Sequence, residues 1–171
     1  MRRHFQSDAR RGFTLIEVMI YCVLVTVGLA TFITVEVSAR KSVAMQGAIL
    51  DVEEQSRRFL DAWRRDVEAA QSVTLQRSVK ASSGADSAEL LRLDGHRVQY
   101  TLGKRVEFDA KGGKLGEDRY AYLVELNFKL TKGQLEASLN ASRSLGQSSL
   151  TRTYRRVATP RAAGAVLKDA P

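Results

Sequence analysis

The chain has 171 residues and a formal net charge of +8, and its single cysteine is Cys22. One cysteine excludes an intramolecular disulfide framework. The only histidines are His4 and His96, and neither a Gly-x-Ser-x-Gly nucleophile elbow nor a glycine-rich phosphate loop occurs. We therefore expect a non-enzymatic protein that holds no cofactor and no metal ion.

A short basic segment at the N-terminus is followed by a long apolar run. Residues 1–12 contain four arginines and one acid, and residues 13–35 carry one charged side chain, Glu17. As a helix this run is about 35 Å long, enough to cross a hydrocarbon layer about 30 Å thick. Because the positive charge precedes the run, we expect a single pass with the N-terminus in the cytoplasm.

Gly12 and Glu17 are the two residues at the start of this run that suggest a function. An ordinary secretory signal has its cleavage site after the apolar stretch, whereas Gly12 comes directly before it. A cut there would remove the basic leader and keep the membrane helix. A carboxylate inside a membrane-length segment is costly, which makes Glu17 a functional-site hypothesis.

The sequence Gly-Phe-Thr-Leu-Ile-Glu, residues 12–17, resembles the class III signal of type IV pilins and type II secretion pseudopilins. The resemblance implies that a prepilin peptidase cuts between Gly12 and Phe13 and methylates the new amine of Phe13. It also implies that Glu17 is the assembly residue, which meets the amine of a neighbouring subunit. Two alternatives stay open. Glu17 could pair with its own amine or reach toward the membrane surface, and the segment could be an ordinary single-pass anchor.

The helical period continues beyond the apolar run. Between residues 49 and 70 the apolar residues fall on one face and the charged residues largely off it. No proline interrupts the stretch, so we predict one helix of about 60 residues, roughly 90 Å long. Residues 13–35 form its membrane half and residues 36–73 its amphipathic half. Trp63, at helical spacing within the apolar face, is predicted to be a core residue.

Residues 74–159 consist of short alternating runs, which predict an exported β-sheet region. We predict strands at 73–79, 89–93, 97–102, 105–109, 120–131, 135–140 and 149–158. Loops are predicted at 80–87 and 110–119, and a disordered tail at 160–171. The predicted fold is therefore α+β and pilin-like, a long N-terminal helix packed on a small antiparallel β-sheet.

A second resemblance concerns the kind of subunit. Residues 60–70, 98–102 and 150–156 are similar to stretches of J-type minor pseudopilins and W-type minor pilins. The chain is shorter than is usual for that subgroup, and it lacks the cysteine pair of many major pilins. The resemblance implies a minor subunit with a position near the filament tip.

Two groups of charged residues suggest ligands. Acids lie on both sides of a glycine-containing loop at 107–119, where some pseudopilins bind calcium, but their spacing matches no calcium motif. A solvated loop is favoured there. Arg152, Arg155 and Arg156 form a basic strip that could contact a nucleic-acid backbone. A charged strand that blocks edge pairing is the favoured interpretation.

The resulting hypothesis is a structural minor pseudopilin or minor pilin of an inner-membrane-based filament, either a type II secretion pseudopilus or a type IV pilus. The expected partners are other pilin or pseudopilin subunits, the prepilin peptidase, the assembly platform and, through residues 13–35, membrane lipid. The C-terminal region is expected in the periplasm. The alternatives are a competence minor pilin that binds DNA and a plain membrane-anchored periplasmic binding module. The residues leave the choice between secretion, pilus and competence systems open.

Overall fold

The structure is a computed structural model that describes residues 14–77, 85–145, 148–161 and 166–169. The predicted leader, both residues of the predicted cleavage point, Gly12 and Phe13, and most of the predicted 80–87 loop lie outside the described residues. The chain divides into two compact units, residues 1–44 and residues 45–171.

The first element is one long helix, α1, which covers the 54 residues Leu15–Glu68. In its part within the first unit every described side chain is exposed, including Leu15 at 80% and Phe32 at 66%. Large apolar patches of this kind on a protein surface mark contact with a membrane or a partner. The helix is also long and apolar enough near its N-terminus to cross a membrane. It therefore fits a single-pass, membrane-anchored protein.

The helix ends earlier than its apolar period predicts. α1 ends at Glu68, and the first strand, β1 (Ala70–Gln76), begins two residues later. The predicted helix end at residue 73 is therefore wrong. Ala70, Val73 and Leu75 are buried in β1, and the β-branched pair Val73 and Thr74 favours a strand. The apolar period did not reveal the change because Ala70 fits both the helical and the strand pattern.

In the described ranges, nine strands form two sheets. Sheet A has the order β5-β4-β3-β2-β1-β9 and sheet B the order β6-β7-β8. The strands after β1 are β2 (Ser87–Arg92), β3 (Arg97–Thr101), β4 (Lys104–Phe108), β5 (Lys114–Arg119), β6 (Leu123–Thr131), β7 (Gln134–Leu145), β8 (Ser148–Ala158) and β9 (Val166–Asp169). Neighbouring strands are antiparallel except β1 and β9, which are parallel. The predicted α+β class is confirmed, but the single antiparallel sheet is replaced by two sheets, one of them mixed.

Two segments predicted to be irregular contain strands. Strand β5 pairs with β4 from Lys104↔Arg119 to Phe108↔Lys114, so only the turn before Lys114 remains of the predicted 110–119 loop. In the predicted disordered tail, β9 pairs with residues 72–75 of β1. Backbone hydrogen bonds to another strand decide both cases, the neighbouring β4 for β5 and the distant β1 for β9, because the local composition of each segment is weakly strand-forming.

The core of the second unit joins the C-terminal part of α1 to both sheets in one cluster of buried residues. Phe59, Trp63 and Val67 of α1 are fully buried. The Trp63 ring centroid lies 5.2 Å from that of Tyr100 in sheet A and 4.5 Å from that of Phe128 in sheet B. The predicted core position of Trp63 agrees with this packing, in which one indole contacts both sheets.

Candidate processing and assembly site

Reciprocal hydrogen bonds between Thr14 and Glu17 hold the start of α1. The Thr14 backbone N–H donates to Glu17 Oε2 at 2.8 Å, and the Thr14 hydroxyl donates to the same oxygen at 3.0 Å. In the opposite direction, the Glu17 backbone N–H donates to Thr14 Oγ1 at 3.3 Å. This is a capping box, with Thr14 at the N-cap and Glu17 three residues later. It satisfies backbone N–H groups that have no partner within the helix.

The capping box gives Glu17 a structural role that the sequence analysis did not assign. Its signal was present, since Thr14 and Glu17 have the Thr-x-x-Glu spacing directly before an apolar run. The predicted pairing of Glu17 with its own amine concerns Phe13, which lies outside the described residues, and stays a prediction; Thr14 is a different partner within the same chain. The role of Glu17 as the assembly residue stays a prediction.

Three threonine hydroxyls of the apolar run, those of Thr26, Thr31 and Thr34, bond within the helix. The Thr26 hydroxyl donates to the Cys22 carbonyl at 2.7 Å, and the Thr34 hydroxyl donates to the Ala30 carbonyl at 2.8 Å. Such bonds to the preceding turn satisfy these threonine donors at membrane depth. Between residues 14 and 35, Glu17 is the one charged side chain, and hydroxyl-to-carbonyl bonds of this kind do not neutralise its charge.

A comparison with protein-family models matches residues 8–33 to the prokaryotic N-terminal methylation motif. The match contains the predicted cleavage point and the Thr14–Glu17 capping box. No curated protein and no solved structure matches the chain. The methylation motif is a type IV pilin signature, and here it is accompanied by a long N-terminal helix and β-sheets, so the predicted resemblance to type IV pilins is confirmed.

The arginines predicted as nucleic-acid contacts lie on β8, an edge strand of sheet B, but on two faces of it. Arg152 and Arg156 are opposite buried alanines of β7, so they share the sheet face that carries the core. Arg155 is opposite Ser138 and therefore lies on the outer face. The three guanidinium groups do not form one strip.

Two of these arginines also have carboxylate neighbours. Arg156 pairs with Asp61 of α1 at 3.1 Å, and Arg155 Nε lies 3.9 Å from Glu136 Oε1. Among the described residues, Arg152 has no such partner. The geometry therefore assigns part of the predicted basic strip to holding β8 against the helix.

The acids around the predicted 110–119 loop are bonded to protein groups. The contacts are Glu107 with Arg92 and Arg105, Glu117 with Lys114 and Arg119, Asp118 with Arg105, and Asp109 with the backbone N–H groups of Lys111 and Gly113. Within the described ranges, no group of three His, Cys, Asp or Glu side chains could hold a metal ion. Arginine and lysine side chains therefore already pair with most of the carboxylates that a calcium ion would need as ligands.

A buried ion cluster that the sequence analysis missed connects α1 to sheet A. Asp66 is 4% exposed, and its Oδ2 accepts hydrogen bonds from Tyr100 Oη at 2.6 Å and from Arg105 Nε at 2.7 Å. Its Oδ1 accepts a hydrogen bond from Arg92. A signal was available, because a carboxylate three residues after Trp63 lies on the apolar face of the helix.

The electrostatics of this cluster follow from its burial and its pairing. Burial opposes ionisation of Asp66, but hydrogen bonds from Arg105, Tyr100 and Arg92 outweigh it and hold the pKa of Asp66 below its usual value. Burial, together with the adjacent Asp66 carboxylate, raises the pKa of Tyr100. At neutral pH the cluster therefore contains an ionised Asp66, two arginine cations and a neutral tyrosine. Every charge in it is paired, which suits a structural connection.

Proposed function

We propose that this chain is a minor pseudopilin or minor pilin, processed at its N-terminus and assembled into an inner-membrane-based filament. The observation that carries the proposal is the methylation motif at residues 8–33, which includes the start of the apolar helix α1 with Glu17 in its first turn. The motif points to a structural subunit that is processed by prepilin peptidase and assembles with other pilin subunits.

Processing is proposed to occur between Gly12 and Phe13, with methylation of the Phe13 amine. Mass spectrometry of the N-terminal peptide, from protein recovered from its native membrane, tests this directly. We expect a chain that starts at N-methylated Phe13. A chain that still starts at Met1 in cells with an active prepilin peptidase would contradict the proposal. A Gly12→Val variant, which lacks the glycine at the proposed cut, is the control and is expected to remain unprocessed.

Glu17 is proposed to direct incorporation by pairing with the amine of a neighbouring subunit. An uncompensated charge in hydrocarbon is costly, so a subunit whose Glu17 finds that amine is favoured in the filament. The capping box supplies a competing explanation, because loss of the Glu17 side chain also weakens the start of α1. The two explanations require different variants.

Glu17→Gln separates them, because glutamine also completes a capping box but carries no charge. We expect Glu17→Gln and Glu17→Ala to insert and to be cleaved, and both to reduce incorporation by about tenfold or more, which corresponds to about 1.4 kcal/mol. The measurement is the ratio of filament-bound to membrane-bound processed subunit. Glu36→Gln, in the same helix and paired with Arg40, is the matched control and should incorporate normally. Normal incorporation of Glu17→Gln would reject the pairing of Glu17 with a neighbouring amine and would support a role in the capping box alone.

The second unit is proposed to lie on the outer side of the inner membrane and to contact other minor subunits. The positive charge before the apolar run supports this orientation. The two-sheet core around Trp63 supplies a folded region beyond the membrane segment. In this arrangement the helix anchors the subunit and the sheets recognise its neighbours.

A further inference from the structure

An open groove lies in the second unit between α1 and the β4–β5 end of sheet A. Its volume is about 1020 Å³. On the helix side the small residues Ala62 and Ala69 leave space beside Arg65, and on the sheet side residues 117–119 and Tyr120 form the rim. This volume is at the upper end of the range of about 300–1,000 Å³ for ligand pockets.

The carboxylates that line the groove already have cationic partners. The pairs are Asp61 with Arg156, Asp66 with Arg92 and Arg105, Glu117 with Lys114 and Arg119, and Asp118 with Arg105. A further cation in the groove would therefore compete with arginines and a lysine that are already in place.

Arg65 has no such partner in the described part of the chain. It is exposed on the helix side of the groove, and its Nε donates to the backbone carbonyl of Asp61 at 3.3 Å. Among the described residues, every other arginine that lines the groove pairs with a carboxylate, whereas Arg65 pairs with none. Arg65 therefore gives the groove one exposed cation that a carboxylate would pair with.

The character of the lining favours a peptide over a small molecule. Small-molecule pockets are lined mainly by apolar and aromatic side chains, but most side chains in this groove are charged and Tyr120 is the aromatic one. Strand β5, which forms part of the groove rim, is also an edge strand of sheet A. An edge strand offers backbone groups to an extended peptide, which then adds a strand to the sheet.

We propose that this groove docks an extended acidic segment of a neighbouring filament subunit, with a carboxylate of that segment paired to Arg65. The inference rests on the proposed function, since it requires that the chain assembles with other subunits. It assigns the recognition surface to the β5 edge and the helix face that carries Arg65. The partner is defined by negative charge and an extended backbone.

The test uses the full chain in detergent micelles and a fluorescein-labelled peptide of alternating valine and glutamate. Fluorescence anisotropy measures binding, and a peptide of alternating valine and lysine is the charge control. We expect the glutamate peptide to bind and the lysine peptide not to bind. Arg65→Gln should weaken binding by about tenfold, as expected for loss of a charge-assisted pair. Arg57→Gln is the matched control, because Arg57 lies on the same helix outside the groove and pairs with Glu53.

Several results would overturn the proposal: no binding of the glutamate peptide, equal binding of both peptides, or unchanged binding to Arg65→Gln. Displacement of the peptide by inorganic phosphate at matched ionic strength, with the same dependence on Arg65, would assign the groove to a small anion and also overturn it. Failure of the proposed function would look different, because it would appear as an unprocessed N-terminus in the mass spectrum. A methylated Phe13 without peptide binding would reject the groove proposal alone.

Discussion

Replacing Asp66 by asparagine tests whether the buried ion cluster stabilises the second unit. Asparagine keeps the shape of the side chain and one carbonyl oxygen, but it removes the charge that Arg92 and Arg105 share. Removing one partner of a buried ion pair costs about 3–5 kcal/mol, and the loss should lie at the lower end of this range because Arg92 keeps Glu107, and Arg105 keeps Glu107 and Asp118, as partners. The free energy of unfolding of an ordinary domain is about 5–15 kcal/mol, so Asp66→Asn should remove a large part of the free energy of unfolding of the second unit.

The assay is urea unfolding of the full chain in detergent micelles, followed by the fluorescence of Trp63. Trp63 is the single tryptophan of the chain and is fully buried in the core of the second unit, so its emission reports on this core. With a denaturant slope of about 1–3 kcal/mol per molar urea, the midpoint should fall by about 1 M or more. Asp51→Asn is the control. Asp51 pairs with Arg143 but its side chain is 54% exposed, and an exposed pair contributes less than about 1 kcal/mol.

The effect of Asp66 should also depend on pH. The folded protein holds the pKa of Asp66 below its unfolded value, so the stabilisation is complete above the unfolded pKa of about 3.9. It is lost as the pH falls through the lower, folded pKa. The difference between wild type and Asp66→Asn should therefore be constant at neutral pH and shrink in acid below about pH 4. A neutral-pH loss no larger than that of Asp51→Asn, or a difference that persists in acid, would refute this account.

Three further predictions concern Tyr100, the β6–β7 turn and the arginines of β8. Tyr100→Phe removes a 2.6 Å hydrogen bond to Asp66 and should cost about 1.5–3 kcal/mol in the same urea assay; an unchanged midpoint would contradict it. Gly133→Ala should cost about 1–2 kcal/mol, because Gly133 has φ +78° in the turn between β6 and β7. Gly116→Ala is the control, because Gly116 has open space around it and no positive φ; it should change the free energy of unfolding by less than about 0.5 kcal/mol. Equal losses in the two glycine variants would contradict the explanation by backbone strain. In a mobility-shift assay at low salt, at most one of Arg152→Ala and Arg155→Ala should abolish a shift of DNA, because the two side chains lie on opposite faces of β8. Loss of the shift in both variants would support a single DNA-binding strip.

Much of the N-terminal part could be predicted from local patterns. The apolar run, its one acid and the missing proline predict the long helix, and the family comparison agrees with residues 12–17 as part of a methylation motif. The capping box, which we did not predict, could also have been predicted from the spacing of Thr14 and Glu17. Strands β2, β3 and β4 lie close to their predicted positions because turns and alternation are local properties.

Other elements were not predicted, because pairing with another strand or burial in the core decides them. Lys114–Arg119 is rich in charge and contains glycine, yet it forms β5 because β4 offers a complementary edge. Val166–Asp169 forms β9 because it pairs with β1, almost a hundred positions earlier in the chain. The helix ends at Glu68 for a related reason, since Ala70 and Val73 are buried as parts of a strand.

The sequence by itself indicated the class of protein, through a basic N-terminal segment, a glycine before an apolar helix, an acid in the first turn of that helix and an α+β fold. These features depend on charge, hydropathy and residue spacing within short windows, which folding does not alter. Only the tertiary structure decided that Asp66 meets Arg92, Tyr100 and Arg105 and that Arg155 is separated from its neighbours on β8. It also decided that Arg65 borders a groove and has no carboxylate partner within the described ranges. The physical reason is that the pairing of a charge depends on which distant side chains burial brings beside it.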